Sequence, residues 1–143
     1  MKEKNNNLIE AKRLYLQARE DFKSANILLE HERHYLVCFL SQQIVEKALK
    51  ALLYYHGENI VYGHSVKKLA DWVSKLENNL QNLSKKVAIL DVYYITTRYP
   101  YALPGSIPAE VFTKKDSVET LKIASEIIQL VEKCLKIKNN EEN

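Results

Sequence analysis

The chain has 143 residues, a net charge of +3, 46% apolar residues and only three glycines and three prolines. Glycine and proline together make up about 4% of it, where roughly 12% is usual, and the prolines all fall at positions 100, 104 and 108. A β-sandwich or barrel, with a turn signal about every 8–12 residues, is excluded, and so is a disordered chain, because 27% charge accompanies plentiful apolar and aromatic side chains.

The length suits one domain, residues 1–143, with a core over about residues 8–137 and a frayed polar tail at 138–143. No stretch approaches the roughly 18 unbroken apolar residues of a membrane span. Met1–Asn7 lacks the apolar segment of a signal peptide, so the expected location is cytoplasmic, with no membrane partner. Cys38 and Cys134 lie far apart in apolar runs and read as buried free thiols.

The first helix is predicted over roughly residues 7–31. Leu8, Tyr15, Phe22 and Leu29 recur every seven residues, with Ala11, Ala18 and Ala25 three places after the first three of them. That is the a/d seam of a bundle helix, and its small d positions allow close approach. A second helix, from His34–Tyr35 to Tyr55 or His56 with Gly57 as its stop, is apolar nearly all round, which marks a central helix. One polar stripe survives on it: Gln43, Glu46, Lys47 and Lys50. It reads either as a solvent face with a Glu46–Lys50 pair, or as a polar groove or subunit contact.

Ser65 is placed to cap a third, shorter helix carrying Val66, Leu69, Ala70, Val73 and Leu76. The charge surplus is concentrated here, at Lys67, Lys68, Lys75, Lys85 and Lys86, and reads as a solvated surface or a phosphate-attracting patch. Ser84 is predicted to cap a fourth helix to about Thr97, with Val87, Leu90, Tyr94 and the flanking Ile95 on its buried side. After the proline loop, Thr113 and Asp116 form a capping box that opens a last helix over 114–137. Its seam is Leu121, Ala124, Ile128, Val131 and Leu135. The expected architecture is all-α: an antiparallel up-and-down bundle of four long helices plus one short helix.

No phosphate-cradling glycine loop, dinucleotide fingerprint or nucleophile motif is present. His31 and His34 lack a third ligand at matching spacing, so no metal site is assigned, and no cofactor is implied. The segment Asp91–Tyr101 stands out. Asp91, Tyr94 and Arg98 fall on one side of a helix, and Arg98 ends it amid Tyr94, Tyr99 and Tyr101. Guanidinium and phenol faces both suit nucleotides. The competing reading is a loop anchor, with Arg98 tied to helix-end carbonyls and packed on tyrosines.

Tyr35-Leu-Val-Cys-Phe-Leu-Ser-Gln-Gln-Ile-Val-Glu-Lys-Ala-Leu-Lys-Ala-Leu52, together with Tyr94…Thr97-Arg98-Tyr99-Pro100, resembles the signature of HEPN domains, the higher-eukaryote and prokaryote nucleotide-binding family. The resemblance runs over about residues 10–135, and the His64–Ser65 helix start and the final helix keep the family's order. It implies an all-α up-and-down bundle, usually a homodimer. Many prokaryotic members are encoded beside a minimal nucleotidyltransferase as toxin–antitoxin-like pairs. Others are metal-independent endoribonucleases that use an Arg, four to six residues, then a His, paired across the dimer.

That motif is absent here. The histidines are 31, 34, 56 and 64, and the positions five to seven residues before each hold no arginine. The expectation is therefore a non-catalytic HEPN-type protein that homodimerises and binds a nucleotide or a minimal nucleotidyltransferase. Arg98, Tyr94, Tyr99, Asp91, Gln43, Glu46, Lys47, Lys50 and His64 are its candidate ligand residues. The alternatives are an endoribonuclease acting on RNA with a displaced pair such as Arg98 and His64, or a purely structural dimerisation module.

Overall fold

The apolar periodicities become three long helices that pack on one another: α1 (Lys2–Glu30), α2 (His34–Tyr55) and α7 (Lys114–Leu135). The structure is a computed structural model that describes residues 2–136, with side chains from residue 5; the 138–143 tail lies outside the described residues. Tyr15, Ala11, Ala18 and Ala25 are buried, as the heptad seam requires, while Leu8 stays exposed. α1 starts five residues earlier than its periodicity suggested. The turn at 31–33 is closed by Glu32 in the left-handed region (φ 58°), with Arg33 N–H donating to the Leu28 carbonyl at 2.9 Å.

α2 is the axle. Val37, Ile44, Val45, Ala48, Leu49, Ala51, Leu52 and Leu53 are all fully buried, against both α1 and α7. Gly57 ends it with φ +93°, a conformation that costs other residues about 1 kcal/mol or more. α1 and α2 run antiparallel: Lys47 meets Asp21, and Asn59 meets Asn7. At the other flank His34 lies 2.9 Å from Ser117 Oγ, and Tyr15 O–H donates to Glu132 across α1 and α7. These two links set α7 parallel to α2.

The chain between α2 and α7 is built from shorter pieces. After Gly57 the connection doubles back along α2, and Gly63 (φ +101°) turns it into α3 (Val66–Leu76). Ser65 caps α3 by accepting from Lys68 N–H at 3.2 Å. The α3 N-terminus therefore sits beside Gln42 and Glu46, and its end beside His56, whose Nε2 lies 2.9 Å from Glu77. α3 runs parallel to α2, which the order of elements in the sequence does not reveal.

The helix expected over 84–97 is real in direction but not continuous. α4 (Leu83–Val87) passes into a 3₁₀ stretch (Ala88–Val92) and then α5 (Tyr93–Thr96). Asn82, not Ser84, stands at its start, with no side-chain cap. Val87 and Leu90 are buried as expected, but Ile95 is 36% exposed. Thr96 Oγ1 donates to the Val92 carbonyl at 2.7 Å and Thr97 Oγ1 to that of Tyr93, so hydroxyls compete for the carbonyls a regular helix would use. The broken segment still runs antiparallel to α2, completing an up-and-down bundle with α1, α2 and α7 while α3 lies alongside.

The proline loop holds a short 3₁₀ turn, Pro100–Ala102, and α6 (Pro108–Val111), each opened by a proline. The Thr113–Asp116 capping box then starts α7, with both reciprocal bonds formed. α7 closes at Leu135, with Lys136 left-handed, against an expected end at 137. No strand occurs among the described residues, and no helix of theirs is long and apolar enough to cross a membrane. Both cysteines are free. Cys38 is fully buried, and burial pushes its thiol from the ordinary 9.0 up to about 12.

Candidate functional site

The polar stripe of α2 does not face solvent. Glu46 is only 7% exposed, because the returning connection and α3 lie over it. A carboxylate so buried requires partners, and it has four. Oε2 accepts from Lys50 Nζ at 3.0 Å, the expected i,i+4 pair, and lies 3.2 Å from His64 Nδ1. Oε1 receives longer bonds from Gln42 (3.4 Å) and Gln43 (3.5 Å). Gln42 also donates to the His64 carbonyl at 2.8 Å. Backbone and ring of His64 are thus both held from α2, although 62% of its side chain is open to solvent.

The outer face of this cluster is aromatic. The His64 ring stacks on Tyr94, with centroids 5.1 Å apart and planes 16° from parallel. Tyr94 in turn lies under Arg98, whose guanidinium carbon is 4.4 Å from the Tyr94 centroid, 4.9 Å from that of Phe39 and 5.3 Å from that of Tyr99. Arg98 Nε donates to the Tyr94 carbonyl at 2.7 Å, which is the anchor expected at a helix end. Among the described residues no carboxylate pairs with Arg98. A guanidinium stacked on rings keeps its charge and its remaining fork of donors, and so suits a phosphate or carboxylate. The loop-anchor bond is thus made by Nε alone.

Two candidate residues lie elsewhere. Lys47 leaves the stripe to pair with Asp21 on α1, since its position on α2 faces the α1 flank. Asp91 turns away from Arg98 and caps α3 from outside. It accepts from Ser65 Oγ (2.8 Å), Val66 N–H (2.7 Å) and Lys67 N–H (3.2 Å). A negative charge there meets the free N–H groups and the positive end of the helix dipole. Asp91 thereby fixes the Ser65 turn beside His64 without belonging to the cluster. Tyr101 does not reach the arginine; it stacks on Tyr99 at 5.6 Å.

Two residues of the cluster went unnoticed in the sequence. Gln42 is fully buried, and its signal was legible: a lone amide between Cys38, Val45 and Leu49 on the apolar side of α2 needs a partner. Phe39 had no such signal, because a phenylalanine in an apolar helix looks like core. His31 and His34 do not come together with further ligands; no group of three or more His, Cys, Asp or Glu is placed to hold a metal among the described residues.

Fold and site together define a class: an all-α bundle that gathers its polar side chains where α2, the α2–α3 turn and the end of α5 meet. The chain belongs to the HEPN family, whose domain model matches residues 11–134. It is 30% identical to a Methanocaldococcus jannaschii protein named "Putative toxin MJ1304", over 96% of each chain. Among solved structures it is similar to TT1696 from Thermus thermophilus, at TM-score 0.77 and 32% identity over 87% of this chain and 97% of that one. It is likewise similar to ST0689, described as an archaeal HEPN homologue, at TM-score 0.72 and 30% identity over 88% and 98%.

Proposed function

We propose that this HEPN protein is a non-catalytic binding member of a cytoplasmic toxin–antitoxin-like pair. In this reading it homodimerises, engages a minimal nucleotidyltransferase, and binds a nucleotide at Arg98, Tyr94, Tyr99 and His64. The observation that carries it is Arg98, clasped by three aromatic rings, with no carboxylate partner among the described residues. The solvent-open His64 ring offers a face for a base, and the guanidinium offers donors for a phosphate. The toxin name of the Methanocaldococcus relative supports the broader role. Calorimetry with ATP and GTP tests the site: Arg98→Ala is expected to weaken binding about tenfold or more while the fold persists. An Arg98→Ala protein that unfolds while the wild type binds neither nucleotide leaves the arginine as an anchor only. Co-purification with the product of a neighbouring nucleotidyltransferase frame tests the partnership, and light scattering tests the dimer.

One contact favours a second reading, an endoribonuclease with a displaced active site. Arg98 and His64 both pack on Tyr94, so an Arg and a His share one tyrosine here without the family's sequence spacing. An imidazole can serve as general acid or base in such a cleavage, and His64 is the imidazole at this site. Incubating metal-free protein with a structured RNA decides it: cleavage lost in His64→Ala supports it, and no cleavage above a denatured-protein control removes it.

A further inference from the structure

Next to the Gly63–Ser65 turn lies an open groove of about 760 Å³ between the α2–α3 connection and α3, without Arg98 in its lining. It shares His64 with the cluster already described and is otherwise separate from it. Its floor and wall are aromatic. Tyr62, 71% exposed, leans over Trp72 with centroids 5.3 Å apart and planes tilted by 52°. Trp72 Nε1 donates to Glu58 at 2.8 Å, which fixes the indole and ties the connection to α3. An exposed tyrosine held against a fixed indole is an open-sided platform for a further flat ring.

The groove also holds two lysines of the sequence's basic surplus. Of the five lysines in that patch, Lys67 pairs with Asp71 at 3.0 Å and Lys86 with Glu126 at 2.6 Å. Lys68 and Lys75 line the groove together with Asp71, which is bonded to Lys67; neither they nor Lys85, which does not line it, form an ion pair among the described residues. Positions 68, 72 and 75 share one face of α3, so the indole lies between the two cations. Seven residues of helix separate the lysines by about 10.5 Å along the axis. That spacing suits two phosphates of one strand better than a single phosphate. Stacking platforms flanked by cations at intervals are how proteins hold unpaired strands without reading their sequence.

We propose that this groove binds single-stranded nucleic acid, a base stacking on Tyr62 and Trp72 while Lys68 and Lys75 meet phosphates on either side. The recognised unit is a base with its flanking phosphates. A free mononucleotide offers the base and one phosphate group; a strand offers both phosphates.

Trp72 is the chain's one tryptophan, so its fluorescence reports on the groove directly. The full chain is titrated at low salt with an oligo-uridine of about ten nucleotides and, separately, with uridine monophosphate. The oligomer is expected to quench Trp72, and the monophosphate at equal nucleotide concentration is expected to have little effect. In Lys68→Glu/Lys75→Glu, where both changes are at exposed positions, the affinity should fall about tenfold or more and the salt dependence should flatten. Tyr62→Ala, also exposed, should weaken binding while keeping the probe. The quench should persist in Arg98→Ala, which separates failure of this site from failure of the Arg98 site. No quenching, or equal quenching in the charge-reversed protein, overturns the proposal. So does a quench that vanishes in Arg98→Ala, and a monophosphate as effective as the oligomer overturns the strand assignment.

Discussion

The two halves of this molecule are held by different means. α1, α2 and α7 bury a long repeating apolar seam, whereas residues 56–112 seat α3 and several shorter elements on the same core and add individual polar bonds that set their turns. In the first half each residue's position follows from many weak contacts of one kind, so geometry survives the loss of any one of them. In the second half a few bonds add to the apolar contacts at particular turns: Asp91 on the α3 N-terminus, Gln42 on the His64 carbonyl, Trp72 on Glu58. The candidate binding residues sit at the border, because only there do a rigid helix and a connection shaped by polar contacts meet.

Substitutions that separate stability from local geometry test this contrast. The largest effect is expected in the long-helix half. Leu52→Ala, at a fully buried site, should lower the unfolding free energy by about 2–5 kcal/mol in denaturant titrations. Binding per folded molecule should stay unchanged. Asp91→Ala should cost less, about 1–3 kcal/mol, from lost caps on α3. Yet it should disturb His64, visible as shifted ring resonances and weaker nucleotide binding. If Asp91→Ala moved neither, the short-element half would not depend on single bonds.

Alkaline pH probes both halves. Burial pushes the Cys38 thiol from 9.0 to about 12, and burial reinforced by nearby Asp116 pushes Tyr93 from 10.0 to about 12. In each case the unfolded chain loses its proton at lower pH than the folded one. Unfolding is therefore favoured as pH rises, from about pH 9 for the thiol and about pH 10 for the phenol, until the folded groups titrate near 12. The Cys38 contribution is at most about 1.4 kcal/mol per pH unit. A Cys38→Ala protein should show a shallower loss of stability above pH 9; an unchanged slope would show that the thiol does not drive it. The smallest stability effect belongs to Arg98→Ala, about 1 kcal/mol or less, because its ring contacts are partly exposed. Its expected loss of nucleotide affinity makes it the most selective of the four.

The seams and caps were legible because they are local. Tyr15, Ala18, Leu121 and Val131 announce their burial by spacing, and Gly57, Ser65 and the Thr113–Asp116 box announce helix ends by chemistry that acts within four residues. The Glu46–Lys50 pair was legible for the same reason. Less was visible in the segment 84–97, where a helical pattern concealed a 3₁₀ interruption at Ala88–Val92. Asp91 caps a helix that lies some 25 residues upstream in sequence, and no periodicity encodes that. Lys47 and Glu46, adjacent in sequence, serve α1 and His64 respectively, a division set by the neighbours on either side of α2.

By itself, then, the sequence determined an all-α bundle, its principal helices and the family signature around Glu46 and Arg98. Hydrophobic period and capping are properties of a segment, and the scarcity of glycine and proline left few other folds open. Tertiary structure alone decided that the α2–α3 connection doubles back, that α3 runs parallel to α2, and that His64 is set between Glu46 and Tyr94. It also decided which lysines of one basic patch are neutralised by Asp71 and Glu126, and which two remain beside Tyr62 and Trp72. The reason is one of range: apolar patterning repeats along the chain, but a hydrogen bond or ion pair exists only when folding brings its two ends within about 3–4 Å.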